Sequence, residues 1–101
     1  MRLIVFFDLP TEKAKERRDY RVFRKLLIKE GFIMMQESVY SKLTLNATSS
    51  ESIKNKIEKN KPPKGIVQIL TVTEKQFSGI DTIVGKIQNN EIDTTERLLI
   101  L

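Results

Sequence analysis

Five consecutive apolar residues, Leu3-Ile4-Val5-Phe6-Phe7, lie near the start of the chain and stop at Asp8, Leu9 and Pro10. A run this short, built of strand-favouring residues and closed by a turn signal, predicts a central β-strand buried on both faces. Asp8 then stands where the strand leaves the sheet, fixed by the scaffold yet reachable from solvent. After Pro10 the period changes. From Thr11 to Glu30 there is no Gly or Pro, Thr11 can cap the start and Gly31 the end, so a helix is expected. At 100° per residue Tyr20, Val22, Phe23, Leu26 and Leu27 share one side, and Arg17, Arg18, Arg21, Arg24, Lys25 and Lys29 the other. Asp19 is the exception: it projects toward the apolar side, where it would pair with an arginine or face the Asp8 region.

Residues Phe32 to Leu45 alternate apolar and polar over a length unusual for one strand, so a break is expected at Gln36-Glu37-Ser38. Thr48-Ser49-Ser50-Glu51 has capping-box spacing and announces a second helix with a thin apolar side, Ile53 and Ile57, that ends at Asn60-Lys61-Pro62-Pro63. Gly65 opens the strand Ile66 to Thr73. Ile80 to Ile87 reads as a further strand, Gln88 to Glu96 as a polar loop, and Leu98-Leu99-Ile100-Leu101 as a terminal strand too apolar to leave exposed. That strand must join a sheet, and the preceding loop is long enough to reach a second copy, so a homodimer is expected. The order strand, helix, strand, strand, helix, strand predicts an α+β fold, the ferredoxin-like βαββαβ sandwich, with extra strands over about 80–101 packing on the dimer partner. An unbroken Phe32 to Leu45 would give βαβα followed by strands instead.

Length and composition narrow the chemistry. At 101 residues the chain is expected to form a single domain, 1–101. No apolar stretch is long enough for a membrane span and the first residues do not read as a signal peptide, so a cytoplasmic protein with no membrane partner is expected. The chain has neither Cys nor His, which removes disulfides, thiol nucleophiles, Cys/His zinc sites and imidazole acid–base catalysis. Catalysis would need carboxylates, hydroxyls, Lys or a metal-bound water. The net charge is +5, which favours polyanionic partners if it is clustered.

Glycine-rich phosphate loops and zinc-protease motifs are absent, leaving Asp8 beside the start of a basic helix. Its plain reading is a turn carboxylate before a helix. Its functional reading is a ligand for a hard cation such as Mg²⁺, which needs only one or two carboxylates besides waters and substrate phosphates. A twofold axis near the strand end would bring two Asp8 residues together, and their repulsion would itself attract a cation. The basic face can likewise be a solvated surface with acidic partners at i,i+4, or a phosphate-backbone binding face. Eight basic residues against four acidic ones between Glu12 and Glu30 favour the second. Gln36, Ser38 and Tyr40 share one strand face and are candidates for contacting a phosphate or a partner.

The ordered set Phe7-Asp8-Leu9-Pro10, Arg17-Arg18-Asp19-Tyr20-Arg21, Gly31-Phe32 and Gln36-Glu37-Ser38-Val39-Tyr40 resembles the second protein of the CRISPR-associated series. The match is strongest to members from Gram-positive bacteria with Cas9-type systems. The resemblance implies a ferredoxin-like homodimer with the C-terminal strand on the partner's sheet and two Asp8 residues facing across the axis. It implies a Mg²⁺-dependent endonuclease acting on RNA or DNA, with Asp8 as catalytic residue and metal ligand. It also implies a role in spacer acquisition, bridging dimers of the CRISPR integrase and holding duplex DNA. A non-catalytic nucleic-acid-binding adaptor is the alternative, and a small regulatory dimer a third reading. Arg17, Arg18 and Arg21 match the family's basic run, with Arg24 and Lys25 continuing it, and Ser38 and Tyr40 match its strand motif. Phe7 stands where many members have Tyr.

Overall fold

The structure, a computed structural model, describes residues 1–85. Its elements are β1 (Arg2–Asp8), α1 (Ala14–Lys29), β2 (Ile33–Gln36), β3 (Val39–Leu43), α2 (Ala47–Lys59), β4 (Ile66–Val72) and α3 (Glu74–Ser78). The four strands form one antiparallel sheet in the order β2-β3-β1-β4. This is the ferredoxin-like arrangement: β1, the first strand in sequence, lies inside the sheet because α1 carries the chain past it and β3 returns between β2 and β1. The expected break in Phe32 to Leu45 is present, with a turn at Glu37-Ser38 and a bulge between Met34 and Gln36.

Alternation along the strands divides the sheet into two unlike faces. Leu3, Val5 and Phe7 of β1 are buried with Phe23 and Leu27 of α1, Ile57 of α2, Phe32 and Tyr40, while Val67 and Ile69 of β4 pack against the same cluster. The Phe7 ring stacks on Tyr40 at 5.7 Å and meets Phe23 edge-on at 5.3 Å and Tyr20 at 5.9 Å. Such aromatic contacts add to the area they bury. The opposite face carries Phe6, Ile33, Leu43, Ile66 and Leu70, aligned by the strand register and each between 37% and 60% exposed. An apolar face of this extent is unusual on a lone soluble protein.

Local chemistry moved several boundaries. Thr11 does not cap α1. The Glu16 carboxylate reaches back to accept the backbone N–H groups of Glu12 (3.1 Å) and Lys13 (3.0 Å), so the first turn is capped from inside and starts at Ala14. The Lys13 N–H is the chief reason the Glu16 carboxyl is held below its ordinary range. Asn46, rather than Thr48, caps α2, accepting the Ser49 N–H at 2.8 Å. Val22 is 61% exposed instead of core-facing, because Phe23 and Leu27 centre the buried stripe and leave it on the flank. Asp19 pairs with Lys15, one turn earlier on α1, at 3.3 Å and not with an arginine.

Helix α3 has no counterpart among the expected elements, although Thr73-Glu74-Lys75-Gln76 has capping-box spacing: Thr73 Oγ1 accepts the Gln76 N–H and Gln76 Oε1 accepts the Thr73 N–H. The Arg2 guanidinium holds this helix by two 2.8 Å hydrogen bonds to Glu74 and lies 4.1 Å from the Phe77 ring centroid. That ion pair holds the Glu74 carboxyl below its ordinary range. The strand expected from Ile80 to Ile87 is not formed over its described part, residues 80–85, and the remainder of the expected C-terminal strands lies outside the described residues.

The two neighbouring positions on α1 provide a check. Phe23→Ala is expected to lower the unfolding free energy by about 3–5 kcal/mol. Val22→Ala should change it by less than about 0.5 kcal/mol, both read from urea denaturation of the full chain.

Candidate nucleic-acid and metal site

Asp8 ends β1 opposite Ile66 of β4, and its side chain is exposed. Two backbone constraints hold it there. On one side the preceding Phe7 N–H donates to the Ser38 carbonyl at 3.0 Å, tying the β2–β3 turn to the strand end. On the other, Gly65 sits at φ +94, and a Cβ there would lie 2.6 Å from the Asp8 carbonyl oxygen and 2.7 Å from a Leu9 methyl. Only a residue without a side chain lets β4 begin this close to the Asp8 backbone.

Asp8 lies in a shallow groove of about 260 Å³ with Phe6, Phe7, Ser38, Val39, Ile66 and Gln68. Ser38 is thus brought beside Asp8, a neighbour its strand pattern did not specify. Tyr40 is not: its ring is wholly buried on the helix side, and its hydroxyl accepts a 2.8 Å hydrogen bond from Arg24 Nε. Gln36 lies on β2, the strand at the sheet edge farthest from β4. Gln36, Ser38 and Tyr40 therefore share no accessible face, because the bulge and turn between Met34 and Val39 break the alternation that would have aligned them.

The donors that Asp8, Ser38 and Gln68 offer are oxygens, which suits a hard cation, and Asp8 is the groove's one carboxylate. Among the described residues no group of three metal-ligating side chains converges. The donor set therefore fits Mg²⁺ with most of its coordination left to water and substrate.

The basic residues of α1 divide into two sets. Arg17 Nη1 donates to the Thr11 and Glu12 carbonyls at 3.1 and 2.6 Å, and Arg24 is tied to Tyr40. Arg18, Arg21 and Lys25 are exposed, lie at i, i+3 and i+7 on one helix face, and have no acidic partner among the described residues. Of the other lysines, Lys54, Lys56, Lys61 and Lys64 pair with Glu51, Glu30, Glu58 and Glu16 at 2.9 to 3.8 Å, while Lys13, Lys29, Lys42, Lys59 and Lys75 have no acidic partner among the described residues. A second groove, of about 290 Å³ between Leu9-Pro10 and Pro62-Pro63, is rimmed by charges that pair with each other, Lys15 with Asp19 and Lys64 with Glu16.

Fold and site together define a small ferredoxin-like α+β protein with an exposed strand-end carboxylate and an exposed basic row along its first helix. Residues 1–80 match the family described as CRISPR associated protein Cas2, and the chain belongs to that family. It is 56% identical over 101 residues to the CRISPR-associated endoribonuclease Cas2 of Treponema denticola, the alignment spanning the whole of both chains. It is 46% identical to the proteins of that name from Ligilactobacillus salivarius, again over the whole of both, and Streptococcus mutans, over 100% of this chain and 93% of that one. The fold is shared with the crystal structure of Streptococcus pyogenes Cas2 at pH 6.5, with a TM-score of 0.64 at 18% identity, covering 83% of this chain and 100% of that one.

Sequence reasoning passed over Gln68. The available signal was its place in β4, where the positions on its face are otherwise Ile66, Leu70 and Val72.

Gly65→Ala is expected to cost about 2–3 kcal/mol, since it combines a positive φ with a backbone clash. Thermal unfolding measures it, and Gly79→Ala, where φ is negative and no atom lies closer than 3.3 Å, should cost less.

Proposed function

We propose that this chain is a homodimeric nucleic-acid-binding protein of CRISPR spacer acquisition, which holds duplex DNA by its phosphate backbone and bridges integrase dimers. In this reading it also carries Mg²⁺-dependent endonuclease activity at Asp8. The observation that carries the binding reading is the exposed row Arg18, Arg21 and Lys25. These charges line one exposed helix face and have no acidic partner among the described residues. Three cations along roughly 10 Å of helix suit successive phosphates and carry no base-edge information. Arg17 and Arg24 lend their guanidinium groups to the fold and serve binding less directly.

The homodimer is supported by the open sheet face. Phe6, Ile33, Leu43, Ile66 and Leu70 form an apolar surface that a second copy of the same face would cover, and α3 closes only its Arg2 end. Asp8 lies at the other end of β1, so a face-to-face pair would draw two carboxylates into one cleft. The terminal strand adding to the partner's sheet remains part of this reading, since β4 is an edge strand of the described sheet.

A bound divalent cation would neutralise the paired carboxylates and supply a metal-bound water at neutral pH. Asp8 would hold it, and Ser38 would orient a phosphate against it. The relatives' name, endoribonuclease, supports phosphodiester hydrolysis, with RNA as one substrate class. A non-catalytic adaptor is the second reading, favoured by the single carboxylate in the groove. The described residues contain no helix long and apolar enough to cross a membrane, in keeping with work in the cytoplasm of a prokaryote.

Asp8→Asn should lower Mg²⁺-dependent cleavage to the level of the chelated wild type while leaving duplex binding unchanged. Activity surviving both changes would remove Asp8 from the site, and spacer insertion by the same variant separates enzyme from adaptor. Neutralising Arg18, Arg21 and Lys25 should weaken duplex binding across sequences and reduce the salt slope by about 0.9 for each phosphate that is no longer neutralised. An unchanged slope with the fold intact would refute backbone binding by α1.

A further inference from the structure

Gln68 is the polar member of the β4 row Ile66, Gln68, Leu70, Val72 that lies on the open face. It stands opposite Phe6, diagonal to Asp8, and lines the same groove. Its amide has no hydrogen-bond partner among the described residues. While the face is open, water satisfies that amide. Once a second copy covers the face, the amide is desolvated and must find a partner inside the interface.

From this we infer that Gln68 sets the register of the dimer by pairing with Gln68 of the second copy. The inference rests on the homodimer reading above. A carboxamide both donates and accepts, so it complements its own copy across a twofold axis, which a carboxylate or an ammonium does not. The surrounding residues Phe6, Ile66 and Leu70 are apolar, and one apolar surface slides over another with little preference. A single amide among them penalises every register that leaves it unpaired, as a buried Asn does in a coiled coil. Diagonal neighbours on adjacent strands lie roughly 7–8 Å apart. An axis running between the faces along the diagonal from Gln68 to Asp8 places each beside its own copy. The attractive amide pair thereby brings together the repelling carboxylates, and Gln68 acts on the Asp8 site as a positioning residue.

The chain has no cysteine, so Gln68→Cys introduces a sole thiol. Under mild oxidation it should give a disulfide-linked dimer many times faster than Ile33→Cys, which lies on the same face but about three strand spacings, ~14 Å, from β4. As a second measurement, Gln68→Glu and Gln68→Lys should each weaken the homodimer at least about tenfold by sedimentation, and an equimolar mixture should recover it as a heterodimer. If the wild type sediments as a dimer but Gln68→Cys links no faster than Ile33→Cys and the charge pair gives no recovery, the register is set elsewhere and the inference fails alone. If the wild type sediments as a monomer throughout the micromolar range, the homodimer reading fails and this inference with it.

Discussion

The pairing of β1 on both edges is the constraint from which the rest of the molecule follows. Its backbone bonds to β3 on one side and β4 on the other, and its odd-numbered side chains fill the space beneath α1 and α2. A strand so placed cannot slip by one residue without moving Leu3, Val5 and Phe7 out of the core and Phe6 and Asp8 into it. Asp8 therefore takes its position from the packing of residues that precede it. The close approach of Gly65 and the bond from Phe7 to the Ser38 carbonyl then bring β4 and the β2–β3 turn to the same point.

The two faces of the sheet divide the labour. The helix face is closed by aromatic packing around Phe7, and Tyr40 can be wholly buried because Arg24 satisfies its hydroxyl. The open face retains apolar residues and one amide beside the exposed carboxylate, a composition suited to a second copy. Charge is partitioned in the same spirit. Ion pairs fasten Lys56 and Lys64 to acidic residues of α1 and the turn after it, while the outward row Arg18, Arg21 and Lys25 stays exposed with no acidic partner among the described residues.

Much of the fold was legible in the sequence because periodicity and turn chemistry act locally. The runs of β1 and β4, the break at Glu37-Ser38 and the ferredoxin-like order could all be read from residues near one another. The helix starts were less legible, since a carboxylate at Glu16 can replace a cap at Thr11 and several hydroxyls and amides compete to cap α2. Helix α3 had its signal in Thr73 and Gln76, but its attachment depends on Arg2, a residue remote in sequence.

The candidate site divides along the same line. The sequence by itself determined that a carboxylate would end a buried strand and that arginines would crowd one helix, because both follow from spacing along a single element. Tertiary structure decided which of these groups are available. Arg17 and Arg24 are engaged by backbone carbonyls and by Tyr40, Tyr40 is turned into the core, and Ser38 and Gln68 are carried to Asp8 from the β2–β3 turn and from β4. Those outcomes depend on register between strands and on who meets whom across the core, and a one-dimensional pattern does not encode such distances.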